Sequence, residues 1–163
     1  MSACMTADAL GQAGVVPTGL PAEALRCQAL LQFEKAFTRG KVQRIWRRLS
    51  GRPIHLLDLE GVQRKAPRKS EHYAGVQLVP IEKIVGSEGR HDEFTPEFSP
   101  LKHRTRPRWI NVAMARLSGA VLPPVQLAQI GDQYYVLDGH HRISVAHSYG
   151  QKEIEAQVTV RKS

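Results

Sequence analysis

Residues 125–150, VQLAQIGDQYYVLDGHHRISVAHSYG, constrain the fold of this chain more than any other stretch. Two runs of strand composition flank Gly131-Asp132, a pair suited to a two-residue hairpin turn. The second run ends at Asp138-Gly139. A helical segment starts there without a connecting loop and stops at Gly150. His140, His141 and Arg142 therefore fall on the first turn of a helix, the end that already carries partial positive charge.

Physical chemistry gives that placement a use. A helix N-terminus presents backbone N–H groups without intrahelical partners, and its dipole favours negative charge. Gly139 allows a sharp turn and close approach of a ligand. Arg142 supplies a planar fork of donors matched to phosphate, and His140 and His141 supply donors whose charge ordinarily changes near neutral pH. Together they describe an anion pocket, most simply one for phosphate. The competing reading has Asp138 capping the helix and the histidines at the surface. Zinc held by Asp138, His140 and His141 with His91 or His103 is disfavoured, because adjacent histidines point apart and no second spaced pair is present; no metal site is expected. Nucleophilic catalysis lacks a convincing Ser or Cys, and Ser144, one turn into the helix, is expected to support the phosphate site.

The rest of the chain divides by texture. Residues 1–20 are small, polar and glycine-rich. Pro21 opens a basic amphipathic helical segment over 21–52, with Leu30, Phe33 and Phe37, then Val42, Ile45, Trp46 and Leu49, at three- and four-residue steps and a break near Gly40. Residues 53–72 read as a charged linker. From 73 to 163 the order is β, loop, α, ββ, α, β, an α+β domain with a small mixed sheet. Its first strand, around Val76 and Leu78, is interrupted at Pro80 and belongs at a sheet edge. The long loop after it carries Arg90, His91, His103, Arg104 and Arg106.

A net charge of +8 over 163 residues, with pI near 9.9, favours anionic partners. Arg39, Lys41, Arg44, Arg47 and Arg48, with Arg104, Arg106 and Arg108, are the expected nucleic-acid contacts, set against the plainer view of a solvated face or a membrane-surface contact. A domain beginning at residue 73 is expected to keep the pocket without the basic segment. Cys4 and Cys27 stand apart with no CxxC pattern and give no sign of a disulfide framework. Neither a signal peptide nor a membrane span is expected, and the setting expected is cytoplasmic.

Over residues 74–159 the sequence resembles the ParB/sulfiredoxin superfamily, especially the N-terminal domain of ParB. LVPIEKIVGSEGR is similar to the first ParB box, and Arg90 takes the place of its loop arginine. GAVLPPVQLAQIGDQYYVLDGHHRISVAHSYG is similar to the hairpin and second box, whose Gly-Glu-Arg-Arg turn cradles CTP phosphates. Gly139 and Arg142 match that turn; His140 and His141 replace its centre, and Ser144 replaces a further arginine. VGSEGRHDEF, RTRPRW and DGHHRISVA also resemble a group of bacterial ParB-like proteins with a basic helix ahead of the domain. Sulfiredoxin's catalytic cysteine would fall at His140, so the resemblance implies no such reductase activity. The sequence stops at Ser163, and centromere binding of the ParB type is not expected. Small serine kinases on the same fold use an acidic residue after the first strand, a part that Glu88 would take.

The expectation is a ParB-like module binding a nucleotide (CTP, ATP or ADP) or another phosphate ligand through Arg90, Asp138, Gly139, His140, His141, Arg142 and Ser144. The expected role is regulatory, as in a transcriptional regulator, or DNA-associated, with DNA and a second copy of the chain as candidate partners. The alternative is a small phosphotransferase or nuclease using the same pocket with Glu88 and Mg2+. A DNA-binding adaptor without any nucleotide rests only on the basic stretch 39–69.

Overall fold

A computed structural model describes residues 20–65 and 70–162. A long helix α1 (Ala22–Leu49) comes first, then β1 (Leu57–Asp58), α2 (Leu59–Lys65), β2 (Ser70–Pro80) and β3 (Ile84–Ser87). After an extended loop come α3 (Arg106–Leu117), the hairpin β4 (Val125–Ile130) and β5 (Gln133–Asp138), α4 (His140–Ser148) and β6 (Glu153–Lys162). The six strands form one mixed sheet in the order β1-β3-β5-β4-β6-β2. The β4–β5 and β6–β2 pairs are antiparallel, and the others are parallel. The expected α+β class, the mixed sheet, the hairpin turning at Gly131-Asp132 and the edge position of β2 are all present.

One face of the sheet carries the main core. Leu127, Val136 and Val158 meet Ile143 and Ala146 of α4, with Phe94 and Phe98 closing the cluster from the loop. Strand alternation turns Ala128 and Tyr135 to the opposite face, where Leu59 of α2 covers them. The segment 53–72, expected as a linker, thus contributes β1, α2 and the start of β2, and buries Leu56 and Leu59. Its charges had masked two short elements anchored by single leucines. Residues 66–69 and the N-terminal stretch 1–19 lie outside the described residues. Cys27, on α1, is disulfide-bonded, which the spacing of the two cysteines did not signal; Cys4 lies outside the described residues.

Helix α1 is unbroken through Gly40. That glycine serves proximity, because a Cβ there would lie 2.5 Å from the Pro100 carbonyl oxygen. The inner face of α1 (Leu25, Ala29, Phe33, Ala36, Phe37) packs on Trp109 and Ala113 of α3 and on Val145 of α4. Phe33 meets Trp109 edge to face with centroids 5.4 Å apart. Val42, Ile45, Trp46 and Leu49 do not continue this face. At 100° per residue they fall on the side opposite Phe33 and Gly40, and all four are exposed. The apolar periodicity expected to form one face forms two.

Candidate functional site

The loop 88–105 is folded rather than loose. Phe94 and Phe98 are buried, Phe94 bridges Pro100, and Lys102 pairs with Asp92. It lies over the start of α4, and between them is a cleft of about 400 Å3. Glu88 and Arg90 line it from the loop, Arg108 and Val112 from α3, and Leu137 through Arg142 from the end of β5 and the first turn of α4. A larger open groove of about 1340 Å3 runs elsewhere, past Leu57, Leu78, Pro80 and Ile84. Its charged lining (Arg47, Glu82, Glu97, Lys152 and Glu153) has more acids than bases, and its Arg47 is already paired with Glu97, whereas three arginines line the smaller cleft.

Gly139 is the N-cap of α4, with φ 101°, and no side chain caps the helix. Asp138 therefore does not cap it. Its carboxylate instead accepts a hydrogen bond from Arg142 Nη2 at 2.6 Å. Arg142 Nη1 also donates to the carbonyl oxygens of Pro123 (2.5 Å) and Pro124 (2.9 Å). Three of the five guanidinium N–H donors are thus engaged. The fork expected to hold phosphate is in large part a brace tying the β4 approach to the helix start.

Replacing Arg142 by Ala should accordingly lower unfolding stability by roughly 1–2 kcal/mol, as charge-assisted bonds to carbonyls and a carboxylate are lost. Urea titration checks this. An unchanged midpoint together with lost anion binding would return Arg142 to the role of phosphate ligand.

His140 and His141 are buried, at 5% and 7% exposure. Phe94 lies near both rings, stacked with His140 and edge-on to His141. His140 Nε2 lies 2.5 Å from Ser87 Oγ, itself fully buried at the end of β3. His141 Nε2 has no hydrogen-bond partner among the described residues. Burial, reinforced by the Arg90 charge, lowers both pKa values from 6.5 to about 4. Both imidazoles are therefore neutral near pH 7. This corrects the expectation of histidines titrating near neutrality, because the ordinary range holds only where burial does not dominate, and here it does.

Ser144 does not reach the cleft. Its Oγ accepts the Trp109 indole N–H at 2.9 Å inside the α1–α3–α4 core. Four residues on from His140 it keeps nearly the same helical face but lies about 6 Å further along the axis, where Trp109 takes its oxygen. Arg90 stands 3.5 Å from Glu93, which also pairs with Arg104 at 2.8 Å, so a buried carboxylate tethers the loop arginine. The sequence does not single out Ser87, and it shows Glu93 only as an acidic neighbour of Glu88. Neither carries a motif, and only the folded loop reveals them. Glu88 lines the cleft as expected, with its backbone N–H bonded to the Val136 carbonyl.

The expected nucleic-acid contacts disperse. Arg47 pairs with Glu97, Arg104 with Glu93 and Arg106 with Glu34, while Arg108 belongs to the cleft. Arg39, Lys41, Arg44 and Arg48 remain exposed on α1.

No family model, curated protein or solved structure matches this chain. The functional reading therefore rests on the cleft itself. Among the described residues no group of three or more His, Cys, Asp or Glu side chains is arranged to hold a metal ion, and none of their helices is long and apolar enough to cross a membrane. Of the cleft's two carboxylates, Asp138 is committed to Arg142, which leaves Glu88 alone. A Mg2+ held by the protein does not fit that set.

Proposed function

We propose that the cleft binds a phosphate-bearing small molecule, with a nucleotide as the leading candidate, and that the chain is a ParB-like binding module with a regulatory role. The observation carrying this reading is the uncapped start of α4 at the cleft, with Arg90 and Arg108 on its walls. Backbone N–H groups of the first turn and the Arg108 guanidinium supply donors and positive charge at the cleft, and Arg90, tethered by Glu93, adds to the charge. His141 Nε2 adds a polar atom still lacking a partner. At neutral pH the histidines contribute as neutral hydrogen-bonding groups, and the arginines supply the charge.

The test is calorimetric titration with CTP, ATP, ADP, GTP and pyrophosphate, with and without Mg2+. Arg108→Ala should weaken the best ligand by roughly 1.5–3 kcal/mol, about 10- to 150-fold in affinity, with little change in stability. Absence of binding by every ligand at millimolar concentration would reject the reading. A second reading, a small phosphotransferase or nuclease, is favoured by one observation, the presence of Glu88 on the cleft wall. Phosphate release or transfer that Glu88→Gln abolishes, with nucleotide affinity retained, would decide for it. A DNA-associated role has weaker support, since four of the eight arginine and lysine candidates are engaged elsewhere.

A further inference from the structure

We propose that the outer face of the C-terminal half of α1 is a peripheral docking surface for an anionic lipid bilayer. Val42, Ile45, Trp46 and Leu49 are 48%, 57%, 69% and 78% exposed, rising toward the helix end. Their three- and four-residue spacing makes them one continuous ridge. From Lys35 through Leu57 the sequence has no Asp or Glu and seven Lys or Arg. Lys35, Arg39, Lys41, Arg44, Arg48 and Arg52 are exposed. On a helical projection Lys41 and Arg48 flank one side of the ridge and Arg39 the other, while Lys35 lies in line with it two turns before Val42. The opposite face of the helix is fixed to the domain by Phe33, Phe37 and Gly40, so the ridge is held outward.

The chemistry selects among occupants. A second copy would bring two faces of the same positive charge together. Duplex nucleic acid answers the charge but offers a polyanion to four apolar side chains, of which only Trp46 can stack on a base. A partner protein that wraps the helix is blocked, because half its circumference is already packed. The ridge spans only two turns and falls short of the roughly 800 Å2 per partner of a standard protein interface. A bilayer supplies anionic headgroups along both flanks and apolar depth beneath, with no demand for shape complementarity. Trp46 is of the residue type enriched at that boundary.

The full chain should sediment with vesicles of phosphatidylcholine mixed with phosphatidylglycerol at least roughly ten-fold more tightly than with phosphatidylcholine alone. Trp109 is fully buried, so a blue shift of tryptophan emission on binding reports Trp46. The paired substitution Ile45→Ser and Leu49→Ser, at exposed positions, should weaken vesicle binding roughly ten-fold and leave the unfolding midpoint in place. Arg39→Gln with Arg48→Gln, one substitution on each flank, should weaken it similarly and flatten its salt dependence. Absence of vesicle binding, equal binding to the neutral vesicles, or full binding by the Ser pair would overturn the proposal. Tight binding to duplex DNA that the Ser pair leaves untouched, with no vesicle binding, would also overturn it and assign the face to nucleic acid.

Discussion

Replacing Gly139 by Ala is expected to destabilise the protein by about 2–5 kcal/mol. The backbone there has φ 101°, and left-handed backbone costs a residue with a Cβ roughly 1–2 kcal/mol. The added methyl would also sit 2.5 Å from Val125 Cγ1 and 2.8 Å from Val125 Cβ. Val125 is buried in the main core at 1% exposure, so it cannot swing into solvent, and overpacking of this kind adds roughly 1–3 kcal/mol. The loss should show as a lowered urea midpoint with an unchanged slope, accompanied by weaker anion binding because the first turn of α4 is displaced. A change below about 0.5 kcal/mol, the ordinary scatter of surface substitutions, would contradict the geometry.

Acidification should produce a second large effect. In the unfolded chain His140 and His141 take up protons near pH 6.5, whereas in the fold burial and Arg90 hold them neutral down to about pH 4. Between those values the unfolded state binds more protons, so stability falls as pH falls. The contribution is intact above about pH 6.5 and is lost progressively toward pH 4, on the order of 3 kcal/mol for one imidazole. His147, its pKa lowered mainly by burial, acts in the same direction. The double variant His140→Gln with His141→Gln isolates the pair: its midpoint should change less between pH 7 and pH 4.5 than that of the wild type. Identical pH profiles would show that the imidazoles are accessible to protons in the folded state. From pH 6 to pH 8 anion affinity should be nearly flat on the histidines' account, without the fall that exposed histidines would give.

The hairpin, α4 and the placement of the GHHR turn were legible because each is written locally. Gly131-Asp132 makes the turn, Gly139 makes the bend, and alternation fixes which side of β5 faces α4. What escaped was set by distant partners. Arg142 reads as a phosphate fork until Pro123 and Pro124 bring their carbonyls to it. Ser144 reads as a site residue until Trp109 claims its oxygen. The histidines read as groups titrating near neutrality until Phe94 covers them. On α1 the period was right and the partner wrong: Phe33 and Phe37 have α3 beneath them, while Val42 and Leu49 lie a half-turn away and have nothing.

The anchoring of α1 bears on where this molecule can be cut. Phe37 lies tilted against His103 with ring centroids 4.2 Å apart, Gly40 touches Pro100, Thr95 donates to Gln43 at 3.0 Å, and Arg47 holds Glu97. Every one of these contacts grips the segment that carries Arg90 and Glu93 to the cleft. A fragment starting at residue 73 would open Trp109 and Ala113 to water and let that segment go slack, so the pocket would not outlive the loss of the helix. Among the described residues the helix and the sheet domain therefore share one core: the helix that looks like a prefix in the sequence is the clamp of the cleft.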